Sequence, residues 1–141
     1  MIDNRTAPYA ALLLRVALGV MFLAHGLTKL LVYTLPGTAQ FFAKIGFAGW
    51  LAYPVTIFEV AAGVLLILGV WPRWVAAIAV VQLFVASTVH FGNGWGFGNT
   101  GGGWEYPIFL TVVAAVLALL GDGKFALSRA SEAERQARLC P

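Results

Sequence analysis

Two ionisable residues, Arg15 and Glu59, lie inside long apolar runs of the chain. An ionisable side chain at membrane depth costs ~3 kcal/mol or more, so it faces a helix-bundle interior or water and takes a partner. At about 1.5 Å of rise per residue, Arg15 lies about 9 Å above the face that holds Tyr9. Glu59 lies about 16 Å and Gln82 about 12 Å above the same face. This spacing predicts an Arg15–Glu59 ion pair with Gln82 beside it. Such a cluster either clamps helices together or holds a proton or a quinone head group.

A second polar group belongs to the opposite rim. His25 and Lys29 are one helical turn apart and share a face. His90 closes the third apolar run, and Glu105 opens the fourth, where a helix dipole favours a carboxylate. His25 or His90 would carry protons with Glu105 as partner; the alternative is that these interfacial His and Glu residues cap helix ends and meet water. Haem ligation by His25 and His90 is the least favoured reading, and no metal site is read from the chain. Between Gly92 and Gly103, seven of 12 residues are Gly, with no Lys-Ser/Thr ending and hence no P-loop. This stretch is either a surface loop or a lid whose Trp95, Phe97 and Trp104 close an apolar pocket.

The elements that position these residues follow from composition. Of 141 residues, 60% are hydrophobic and 11% charged, against about 25% charged in a soluble domain. So few charges cannot make a polar skin, and so high an apolar fraction excludes disorder. A single cysteine, Cys140, excludes a disulfide framework, a redox CxxC and a cysteine zinc site. Four apolar runs, about 9–31, 50–70, 74–90 and 106–120, read as membrane-crossing helices. Leu35-Pro36-Gly37 ends the helix after Lys29, and 38–48 reads as a short interfacial or re-entrant piece. Gly69 to Arg73 is a tight turn, and Pro107 suits the first turn of the last helix.

All five tryptophans, Trp50, Trp71, Trp74, Trp95 and Trp104, fall at run ends, as in an aromatic belt. Six basic residues, Arg5, Arg73, Lys124, Arg129, Arg135 and Arg138, fall on the side of the termini, against Lys29 and Lys44 on the other. That bias predicts cytoplasmic N- and C-termini. Arg15 interrupts the first run, so it is expected to be retained as a helix and not cleaved as a signal. Gly19 and Gly26 share one face and, with Gly63, would allow close helix approach. No internal repeat or nucleic-acid motif is present. The expected fold is all-α: a four-transmembrane-helix bundle over residues 1–128 with a short interfacial segment between helices 1 and 2, then a polar cytoplasmic tail over 129–141.

Taken in order, these motifs resemble the DoxX family of small bacterial membrane proteins. The first helix carries Leu14-Arg15-Val16-Ala17-Leu18-Gly19 and then His25-Gly26-Leu27-Thr28-Lys29-Leu30. The second carries Glu59, Gly63 and Gly69 in a Glu-x3-Gly-x5-Gly pattern, followed by Arg73. His90 and Gly101-Gly102-Gly103-Trp104-Glu105-Tyr106-Pro107 are similar to the family's approach to its last helix. Gly121-Asp122-Gly123-Lys124-Phe125 resembles its Gly-x-Gly closure, from which Ala126 and Leu127-Ser128 depart. The resemblance spans about residues 11–128. It implies an inner-membrane oxidoreductase or oxidoreductase subunit linked to quinone, working with a redox partner. Arg15, Glu59, His25, His90 and Glu105 would then do the proton chemistry, and Gln82, Lys29, Trp95 and Trp104 would hold the ligand. A non-catalytic scaffold subunit is the alternative, followed by a small solute or proton transporter; either could self-associate in the bilayer.

Overall fold

A computed structural model describes residues 3–128. Among these the chain is helical, without strands. The α-helices bounded within these residues are α1 (Ala7–Leu31), α2 (Leu35–Lys44), α3 (Ala52–Leu68), α4 (Pro72–Thr88) and α5 (Glu105–Leu120). Single 3-10 turns, Gly49–Leu51 and Phe91–Asn93, precede α3 and follow α4. Ala7–Leu31 and Gly49–Leu68 are long and apolar enough to cross a membrane, while α4 and α5 are shorter apolar helices. The tail expected over residues 129–141 lies outside the described residues.

The four longer helices form two close pairs, α1 with α3 and α4 with α5. Glycine sets the first pair. A Cβ on Gly63 would stand 2.7 Å from the Leu23 backbone nitrogen, and one on Gly19 would stand 3.0 Å from the Gly63 carbonyl oxygen. Small residues also line the second pair: Ala76, Ala79 and Ala114 are buried beside Leu83 and Leu117. The two pairs meet less extensively through α3–α4 and α1–α5. Leu18, Phe22, Ala62, Leu66 and Val75 fill that junction, with Phe22 and Phe58 edge to face at 6.0 Å.

Leu35-Pro36-Gly37 does more than end a helix. These residues form the first turn of α2, where a proline lacks no needed N–H. Thr34, at φ 61°, supplies the cap, its hydroxyl accepting from the Gly37 N–H at 3.3 Å. The interfacial piece expected over 38–48 is therefore a ten-residue helix starting at Leu35. It packs on α3, α1 and the turn before α3.

The segment after α5 folds back across one end of the bundle. Lys124 N–H donates to the Pro8 carbonyl at 2.8 Å, and Ser128 N–H donates to the Gly69 carbonyl at 3.1 Å. Gly121 and Gly123 permit the turn, with φ of 85° and 74°. Together these contacts tie the start of α1 and the α3–α4 turn to the exit of α5.

Candidate functional site

Glu59 does not pair with Arg15. Its carboxylate accepts from Lys29 Nζ at 2.5 and 2.6 Å and from Gln82 Nε2 at 3.0 Å. The register of α1 on α3 explains the correction. Gly26 packs against Glu59 and Val60, and Gly19 against Gly63 and Ile67. Lys29 is thus one turn beyond the level of Glu59, while Arg15 is level with Gly69 at the far end of α3. The sequence spacing puts Tyr9 level with the end of the second apolar run. In the fold α1 overshoots α3 at that end, and the segment after α5 fills the space.

Arg15 is 1% exposed. Its Nη2 donates to the Lys124 carbonyl at 3.3 Å, and Asp122 supplies opposing charge nearby. A Cβ on Gly69 would overlap Arg15 Nη1, so only glycine admits the guanidinium here. Arg15 is a pin between the α3–α4 turn and the closing segment, remote from the Glu59 cluster. Gln82 is where the sequence placed it, beside Glu59.

The Lys29–Glu59–Gln82 cluster forms part of the wall of a cavity of about 750 Å³. The cavity occupies the gap between the helix pairs, lined by Phe41 and Phe42 of α2, by Ile45 just after it, and by Ile78, Val81 and Val85 of α4. Both histidines reach it, joining two groups that the sequence assigned to separate sites. His25 Nδ1 bonds the Met21 carbonyl at 2.9 Å, and His90 Nδ1 bonds the Gly102 and Gly101 carbonyls at 3.1 and 3.2 Å. A carbonyl can only accept, so each Nδ1 carries a hydrogen, and Nε2 is the acceptor of whichever ring is neutral.

The remaining predicted residues stand apart from this wall. Glu105 Oε1 accepts from the Phe97 N–H at 2.8 Å, which makes it a clamp on the glycine-rich loop and not a partner of either histidine. Trp95 and Trp104 pack on each other edge to face at 4.5 Å, outside the cavity lining. Of the three expected lid aromatics only Phe97 lines the cavity, stacked edge to face on Tyr106 at 5.8 Å. Sequence reading missed Tyr106 and the α2 aromatics as wall residues. The phenylalanine run in a segment too short to span was the available signal for the latter.

A second cavity, of about 520 Å³, lies at the opposite end beside Arg73, Asp122 and Trp74. It holds none of the predicted proton-carrying residues.

Among the described residues the chain is all-helical, with a charged cluster between apolar helices, two of them long and apolar enough to cross a membrane. The DoxX family model matches residues 10–92, and the chain belongs to the DoxX family. It is 32% identical over 124 residues to a Bacillus subtilis (strain 168) protein named "Putative oxidoreductase CatD", covering 88% of each chain. No solved structure matches.

Proposed function

We propose that the protein is a four-span inner-membrane subunit, with cytoplasmic termini, that supports quinone-linked electron transfer by a partner enzyme. The observation that carries this reading is the Lys29–Glu59–Gln82 cluster in the wall of a large, mainly apolar cavity. The residues suit a quinone head. Lys29 has a third N–H beyond the two on Glu59, and Gln82 has a second N–H and a carbonyl oxygen. A ring carbonyl would accept from the spare donors, and a quinol hydroxyl would donate to Gln82 or Glu59. The Lys29–Glu59 pair is neutral overall, so a neutral ring meets no uncompensated charge. His25 and His90 supply Nε2 acceptors for the two protons that a quinol releases on two-electron oxidation. The electrons belong to the partner. Membership of the DoxX family and the oxidoreductase name of the Bacillus subtilis relative support the redox class.

The test is a titration of the nanodisc-embedded protein with decylubiquinone, followed by quenching of tryptophan fluorescence. Saturable quenching that Lys29→Met/Glu59→Leu abolishes supports the reading; quenching that is linear, or identical in the variant, removes it. The scaffold reading has its own favouring observation, the bonding of both Lys29 and Gln82 to Glu59, which a purely structural clamp would also show. A double variant that retains partner activity would select it.

A further inference from the structure

The 750 Å³ cavity has polar groups on one wall and apolar, exposed residues on another. Glu59 is 6% exposed, and Lys29 and Gln82 are half-buried beside it. Beside Gln82, Ile78, Val81 and Val85 recur on α4 and are 57%, 64% and 43% exposed while also lining the cavity. Phe41 of α2 does the same. A residue that lines a cavity and also meets the surroundings marks its mouth. Ile78 and Val81 lie near the middle of the 17-residue helix, so in a membrane they sit at hydrocarbon depth.

We infer that the cavity opens sideways into the bilayer core between α2 and α4, and admits a lipid-dissolved amphiphile. Its hydrogen-bonding head lies against Lys29–Glu59–Gln82, and its hydrocarbon tail passes Val81 into lipid. The identity of the head rests on the quinone reading above; the sideways mouth and the tail do not. The physical reason for a tail is that an apolar mouth at hydrocarbon depth has no polar groups to desolvate, whereas a water-soluble ligand would have to shed its hydration to reach it. The reason for a polar head is that Lys29 and Gln82 each keep a further N–H donor on the wall of a mainly apolar cavity, where a hydrogen-bonding head gives that donor an acceptor.

The experiment uses the full chain in nanodiscs and a long-chain fatty alcohol carrying a mid-chain diazirine. After irradiation, adducts are mapped by mass spectrometry. The expected result is labelling of Met21, Phe42 and Phe58 inside the cavity, reduced at least fivefold in Val81→Trp and maintained in Val81→Ala. Position 81 is exposed, so both variants are expected to fold. Labelling confined to outward positions such as Leu13 and Leu119, or cavity labelling indifferent to Trp at position 81, overturns the inference. The probe has no quinone ring. Cavity labelling without decylubiquinone binding would keep the lateral mouth and discard the quinone. Decylubiquinone binding without cavity labelling would do the reverse.

Discussion

Removing Lys29 should be more damaging than removing Glu59, although the two share one ion pair. Glu59 lies mid-way along α3, with its side chain 8% exposed. Lys29 lies in the last turn of α1, with its side chain 21% exposed. In Lys29→Met the carboxylate stays buried with Gln82 alone, and breaking a buried pair in this way costs about 3–5 kcal/mol. In Glu59→Gln the ammonium can withdraw along its own stem toward the end of α1, as long basic side chains do at helix ends. The loss is then only that of charge-assisted hydrogen bonds, about 1.5–3 kcal/mol. Lys29→Met/Glu59→Leu buries no charge, and should lie within about 1 kcal/mol of the native protein because apolar replacement of a buried pair is often close to neutral. The assay is reversible unfolding in mixed micelles with increasing dodecyl sulfate, followed by tryptophan fluorescence. Equal destabilisation by the two single changes, or a double variant whose deficit is their sum, would refute the reasoning.

Three further outcomes follow from the geometry. Gly63→Ala places a methyl 2.7 Å from the Leu23 backbone nitrogen, which cannot swing aside; the same unfolding assay should show a loss of about 1–3 kcal/mol. Gly69→Ala and Gly46→Ala both force a side chain into positive φ, at 73° and 89°, but space is open at Gly46 while Arg15 fills it at Gly69. Gly46→Ala should therefore show backbone strain alone, about 1–2 kcal/mol, and Gly69→Ala clearly more, with Arg15 displaced. Glu105→Ala frees the Phe97 N–H, so hydrogen exchange at that amide should quicken about tenfold, the equivalent of one hydrogen bond; Glu105→Gln keeps an acceptor and should exchange close to the native rate.

The elements were legible because lipid allows few solutions. Continuous apolar runs bounded by Trp71-Pro72, Trp104 and Pro107 place the helices to within a few residues of where they fold. The polar residues worth attention were legible too, since charge inside an apolar run is rare. What was not legible was register. Arg15–Glu59 and Lys29–Glu59 differ only by how far α1 slides on α3, and that is set by where Gly19, Gly26 and Gly63 interlock, together with the closing segment that occupies the space beyond Gly69. The glycines read as packing residues, but their partners are a property of two helices at once. The same holds for the cavity. Phe41 and Phe42 declared an apolar segment without declaring that it would wall a gap between helix pairs, and Glu105 looked like a proton partner because its bond to the loop backbone at Phe97 leaves no mark in residue type.

The central claim is that the cluster on α1, α3 and α4 holds the polar head of a quinone. Equilibrium binding of decylubiquinone to the nanodisc-embedded protein and to Gln82→Leu tests it most directly, because Gln82 donates to Glu59 yet carries no charge whose loss would unbalance the fold. Losing a hydrogen bond to the head is worth about 1–1.5 kcal/mol, so the account predicts saturable binding weakened about tenfold in the variant. Binding that is absent from the native protein, or equally tight without Gln82, would contradict it.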